Sequence, residues 1–184
     1  MIQNLMIMGK KTSTEPRILL DCDVIIHFTK AGQQLLLPKI FPNRFVILDK
    51  VKAELDKRKK SIVALENFLE WSKIAVIPFP KDKEILIEYA RLKSNMGDGE
   101  AACMAVAKHT KDYIASSNLN DIKAYCDYFG IVYLTTMDIL LEAYQKGILS
   151  EVQCDTFIKE VKSKDSKLID GVDSIKQYEQ MVKK

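Results

Sequence analysis

The chain has 184 residues, 47% hydrophobic and 29% charged, which fits one folded domain with a substantial core and rules against a disordered polymer. Its 28 Lys and Arg against 25 Asp and Glu leave a formal charge of +3, too small an excess to diagnose nucleic-acid binding by itself. The four cysteines (Cys22, Cys103, Cys126 and Cys154) form no CxxC pair and have no His at metal spacing, which argues against zinc and for free thiols in a reducing cytosol. No apolar run approaches the ~20 residues of a membrane helix. The opening "MIQNLMIMGKK" has its basic residues after the apolar run, the wrong order for a secretion signal. A cytoplasmic domain with no membrane partner is therefore expected.

Residues 1–16 are polar with scattered Met and read as a flexible N-terminal arm. "RILL" is a short apolar strand, and "VIIHFTKAGQQLLL" is helical material ended by Pro38 and Pro42. "RFVIL" is a second strand, followed by the helix "DKVKAELDKRKK" with Asp49 as its N-cap. "SIVALENFLEW" continues helically with Trp71 as a core anchor, and "KIAVIPF" is a strand stopped by Pro78 and Pro80. Residues 81–95 form a helix, and "GDGEAACMAVAKHT" opens on two glycines into an Ala-rich helix suited to close packing. "DYIAS" is a strand, "NLNDIKAYCDYFG" a helix ending at Gly130, "IVYL" a strand and "TTMDILLEAYQKG" a helix. An amphipathic helix near 150–163 then gives way to a charged tail. Short apolar strands alternating with helices predict an α/β fold, a three-layer α/β/α sandwich on a parallel sheet of about four to five strands.

Ligands of open α/β sheets bind outside the carboxyl ends of the strands. Asp21 ends the first strand, with Asp23 two positions on. Asn118 and Asp121 follow "DYIAS", Glu54 lies about one and a half turns into the helix after "RFVIL", and Asp98 and Glu100 open the Ala-rich helix. Six acids and an Asn from four segments can converge on one mouth. Clustered carboxylates raise one another's pKa unless a cation neutralises them, and an oxygen-only donor set favours Mg²⁺ or Mn²⁺. Hard divalent ions in such a pocket suit phosphodiester hydrolysis.

These segments resemble the PIN-domain family of compact metal-dependent nucleases. "ILLDCDVII" is similar to the family's opening box and "FVILDKVKAEL" to its second. "GDGEAACMAVA" resembles the box of a VapC-like subgroup whose third acid sits in a Gly-Glu-Ala setting. "DYIASSNLNDIKAYCDYFGIVYLTTMDILLEAYQKGIL" is similar to the closing half, so the likeness covers residues 17–150 and leaves 151–184 as a C-terminal helix and charged tail. It implies Asp21, Glu54 and Glu100 as metal-holding catalytic acids, with Asp98 an adjacent candidate for the third and Asp23 and Asp121 auxiliary. Asn118 stands where many relatives carry a fourth acid, which puts a second metal in question. The implied activity is endonucleolytic cleavage of single-stranded RNA by a metal-activated water with Mg²⁺ or Mn²⁺. The resemblance also brings a toxin–antitoxin setting, an antitoxin partner and a homodimer into view.

Each residue also has a structural reading. Asp23 can cap the first helix. Asp98 and Glu100 can serve the helix dipole. Asn118 with Asp121 can form a near capping box, and Glu54 can be a solvated charge beside Lys52. His27 reads as a hydrogen-bonded core or rim residue, and His109 as a charge favoured near a helix C-terminus. The basic runs 56–60 and 162–164 are solvated faces or phosphate contacts. Two other functions compete: a degenerate PIN domain acting as an RNA-binding or assembly module, and a haloacid-dehalogenase-like phosphatase using "DCDV" and "GDGE". The late acidic box of such phosphatases directly follows a strand, whereas "GDGE" follows the helical "EILIEYARLKSN".

Overall fold

A computed structural model describes residues 15–58, 64–164, 166 and 168–183 of the chain. Residues 1–14 of the expected arm lie outside them. Glu15 and Pro16 are held by Arg44, through an ion pair of 3.2 Å and a bond from Nε to the Pro16 carbonyl of 3.0 Å.

Five strands form one parallel sheet: β1 (Ile18–Leu20), β2 (Phe45–Leu48), β3 (Ala75–Ile77), β4 (Tyr113–Ala115) and β5 (Tyr133–Leu134), in the spatial order β3-β2-β1-β4-β5. Parallel strands need crossovers, and helices supply them. These are α1 (Cys22–Lys30), α2 (Leu37–Ile40), α3 (Asp49–Arg58), α4 (Ala64–Ser72), α5 (Lys83–Lys93), α6 (Asp98–Thr110), α7 (Leu119–Phe129) and α8 (Thr136–Gln145), followed by α9 (Glu151–Ser163) and α10 (Ile175–Val182). The α/β sandwich expected from the alternation is the fold observed.

The central strand β1 is wholly buried, as all-apolar strands covered on both faces should be. Helix α6 packs on β1, β2 and β4 and is flanked by α3, α5 and α7, while α1 meets α4 and α9, and α8 meets α9 and α10. Ala101, Ala102, Cys103 and Ala105 of α6 are buried, so the small-residue run gives the close helix–sheet approach it predicts.

Local punctuation follows the sequence in most places. Gly130 closes α7 in the left-handed conformation at φ 65°. Thr135 and Ser150 make reciprocal capping boxes with Asp138 and Gln153. Asp49 is the first residue of α3 instead of the residue before it.

Two expectations are corrected. Trp71 is no core anchor: it is 67% exposed, because α4 spends its buried face on Phe68 and Ser72 and turns Trp71 to the side. The C-terminal region is more than a helix and a tail. Helix α10 is capped by a Ser174–Gln177 box and docks on α8, with Ile175 and Tyr178 buried and the Tyr178 hydroxyl donating to Asp138 at 2.6 Å. The basic run 162–164 helps fix this region. Lys162 bonds the Val172 carbonyl and pairs with Asp173, and Lys164 pairs with Glu160 and reaches the Lys30 carbonyl. The run 56–60 lies partly outside the described residues.

Candidate active site at the carboxyl edge of the sheet

The chain leaves β1 for β2 and β3 on one side and returns for β4 and β5 on the other, so β1 and β4 flank a topological switch point. The Asp21 N–H donates to the Ala115 carbonyl at 2.9 Å, extending the β1–β4 ladder by one step and setting Asp21 beside Ser116. Asp21 is buried, and its carboxylate accepts from Ser116 Oγ at 3.3 Å. Burial first, then the nearby Asp23 and Glu54 carboxylates, push its pKa up to about 7.

Asp23 does not cap α1. The cap position belongs to Asp21, whose side chain makes no capping bond, and Asp23 sits in the first helical turn. Its carboxylate accepts from the Val24 N–H and the Ser117 N–H, both at 2.6 Å, and from Ser116 Oγ at 3.3 Å. It thus ties α1 to the loop after β4. Burial raises its pKa, and the two N–H donors work against that rise.

Glu54 reaches the mouth from α3. Its Oε1 accepts from the Gly99 N–H at 3.0 Å and its Oε2 from the Cys22 thiol at 3.4 Å. Gly99 allows a close approach here: a Cβ would stand 3.1 Å from Glu54 Oε2 and 3.2 Å from the Val51 Cα, tighter than most such contacts. The two glycines around Asp98 therefore bring the start of α6 onto α3.

Glu100, the third residue of α6, points into the same region. Burial, followed by the Asp21, Asp121 and Asp23 carboxylates, pushes its pKa up to about 8. Its Oε1 is buried without a hydrogen-bond partner. Asp98, on the next side of the helix, is drawn away. It accepts from the Tyr89 hydroxyl and pairs with Lys93 at 2.8 Å, and these partners hold its carboxyl below the usual carboxylate range although burial opposes them.

Asn118 occupies the cap position of α7 without making a side-chain cap, so the expected near capping box is not formed. Its amide nitrogen instead donates to Asp121 Oδ2 at 2.6 Å, holding that exposed carboxylate at the rim beside Glu100. The cluster thus gathers Asp21, Asp23, Glu54 and Glu100, with Asp121 and Asn118 at its edge and Asp98 outside it.

Ser116, Ser117 and Thr136 were not singled out from sequence. Ser117 Oγ accepts from the Thr136 N–H at 2.9 Å and donates to Thr136 Oγ1 at 2.8 Å, which stands 2.8 Å from His27 Nδ1. This places His27 as the hydrogen-bonded buried residue expected. Their signal was available: Ser116 and Ser117 directly follow a strand at the carboxyl edge. "GDGE" is the cap and first turn of α6 and comes after α5, not after a strand, so the phosphatase arrangement is not found.

No group of three or more His, Cys, Asp or Glu side chains among the described residues stands in a ready metal-holding arrangement. The chemistry of the donors nevertheless fits a hard divalent cation. All are oxygens, they repel one another, and one buried oxygen of Glu100 lacks any partner.

A parallel sandwich with an acidic mouth at its switch point defines a class of α/β proteins that bind a ligand there. A family model described as a PIN domain matches residues 17–170, and the chain belongs to the PIN-domain family. The match runs twenty residues past the sequence likeness, into the segment before α10. No curated protein matches the chain. The PIN fold is of a nuclease type, and no helix among the described residues is long and apolar enough to cross a membrane.

Proposed function

We propose that this protein is a metal-dependent endoribonuclease acting on single-stranded RNA, with Mg²⁺ or Mn²⁺ as cofactor. The observation that carries the reading is the pair Asp21 and Glu100, two buried carboxyls from different elements, with the Asp21 charge bearing on Glu100 and only carboxylates among the charges that shift either. Asp21, Glu54 and Glu100 would hold the cation, with Asp23 and Asp121 supporting it. Bound there, it would supply Lewis acidity and a lowered pKa for the attacking water.

The chain's own groups do the positioning. Ser116 and the Ser117 N–H fix the Asp21–Asp23 pair, the Gly99 N–H aims Glu54, and Asn118 orients Asp121. Cleavage would leave a 5′-phosphate and a 3′-hydroxyl. A cytoplasmic toxin role, with an antitoxin partner and a homodimeric state, belongs to the same proposal through the family likeness.

A second reading is favoured by Asn118. It places a neutral amide where many relatives carry an acid, as a non-catalytic RNA-binding or assembly module would. One experiment separates the two. Purified protein should cleave a single-stranded RNA with Mn²⁺ and stop on adding EDTA, and Asp21→Asn should lower the rate by at least about 100-fold while circular dichroism stays unchanged. Cleavage that survives both treatments overturns the nuclease reading. RNA binding without cleavage favours the module.

A further inference from the structure

Beside the acidic cluster lies a cleft of about 460 Å³, walled by α1, the loop after β4, the start of α8 and residues 168–170. One wall is shared with the cluster through Asp23, Ser117 and Asn118, and the apolar lining comes from Leu119, Met137, Leu168 and Ile169. None of the described residues lining it is a lysine or arginine, whereas Asp23 and Asp170 both do. Such a cleft repels phosphate and accepts a neutral group with a flat apolar body and polar edges.

His27 supplies a fixed polar contact. His27 Nδ1 is engaged by Thr136 Oγ1 at 2.8 Å, which in turn accepts from Ser117 Oγ, so the ring is held in place and Nε2 is its second polar atom. Burial pushes the His27 pKa down to about 4, so the ring is neutral near pH 7. Nε2 has no partner among the described residues, and the ring lines the cleft.

We infer that this cleft is a nucleobase subsite: it receives one unpaired base of the RNA strand whose phosphate lies at the acidic cluster. Unpaired bases are recognised by apolar contact on their faces and hydrogen bonds to their edges, and the cleft offers both. The Leu119, Leu168 and Ile169 side chains hold the faces, and His27 Nε2 meets a polar atom on the edge. The subsite fixes which nucleotide stands next to the cleaved bond, and it places residues 168–170 in substrate binding. It rests on the RNA-nuclease reading.

The test is a binding scan on full-length Asp21→Asn protein, using a short fluorescein-labelled single-stranded RNA and its versions with one abasic nucleotide at each position in turn. Anisotropy should show one position where base removal weakens binding about tenfold, with neighbouring positions little affected. Adding Leu119→Trp, which fills the rim, should bring the intact RNA down to the abasic level and abolish the position dependence. His27→Ala should reduce it in the same direction and serves if the Trp variant does not fold. Tight binding with a flat scan, or a sensitive position unchanged in both variants, overturns the subsite and leaves the nuclease reading intact. Absence of both RNA binding and cleavage overturns the two together.

Discussion

Glu88 and Glu100 are equally hidden, each 8% exposed, yet they are driven in opposite directions. Glu88, on α5, accepts from Arg91 at 2.5 Å, Lys108 at 2.8 Å and the Tyr125 hydroxyl at 2.8 Å. Burial pushes its pKa up, but these three partners outweigh it and hold the carboxyl down at about 2. Glu100 meets only other carboxylates and rises to about 8. Burial alone therefore does not set the charge of a carboxyl in this protein; the partners do. One cluster is closed by its own cations, and the other is left for a cation from outside.

The largest break in this comparison is Glu88→Gln. It strands Lys108 and Arg91 beside a neutral amide and should cost about 2–3 kcal/mol, with a fall in Tm of roughly 4–10 °C. Cleavage by the folded fraction should be unchanged, because Glu88 lies outside the mouth. Thermal melts and initial rates on the same preparation check both. A Tm within a degree of the parent would show that the Glu88 pairing contributes little.

The two clusters also answer pH oppositely. Glu88 has a folded pKa below its unfolded value, so its stabilisation is present above about pH 4.5 and is lost as pH falls toward about 2. Asp21 and Glu100 have raised folded values. Their contribution is fully present below their unfolded values near 4 and is lost as pH rises through about 7 and about 8. Cation-free protein should therefore gain Tm on going from pH 8.5 to about pH 5 and lose it again below about pH 4.5. Saturating Mn²⁺ should raise Tm at pH 8.5 by several degrees and by much less at pH 5. Melts across pH with EDTA or Mn²⁺ read this directly. Equal gains from Mn²⁺ at the two pH values would count against a cation held by these acids.

Sequence carried the fold further than the site. Short apolar strands spaced by helices identify the parallel sandwich because burial on both faces forces such runs, and Asp21 is legible because a charge ending a buried strand is costly. The roles of Asp98 and Glu100 could not be separated by spacing alone. Tyr89 and Lys93, on the preceding helix, take Asp98 out of the mouth, and that choice is made by tertiary approach. Asp23 has the composition of a cap, but its partner is the Ser117 N–H, 94 positions away. The His27–Thr136 bond spans 109 positions and leaves no local trace. Helix α10 hides in a charged segment because only Ile175 and Tyr178, three apart, form its buried face.

The smallest effect should come from Gly99→Ala, which separates the geometry of the mouth from its charge. The new methyl would lie 3.1 Å from Val51 Cγ2 and Glu54 Oε2, and 3.2 Å from the Val51 Cα. Side chains can yield by a few tenths of an ångström, but the Val51 backbone belongs to α3, so α3 and α6 must part slightly. The helix gains intrinsic propensity from the alanine, up to about 1 kcal/mol, which offsets part of the crowding. Net stability should therefore change by no more than about 1 kcal/mol, while the bond from Gly99 N–H to Glu54 lengthens. The signature is a Tm close to the parent with cleavage reduced by about threefold to tenfold and partly restored by more Mn²⁺, since Glu54 is displaced and not removed. If Gly99→Ala leaves the rate and its Mn²⁺ dependence unchanged, Glu54 does not depend on the Gly99 N–H for its aim, and α3 contributes packing to the mouth without contributing a ligand.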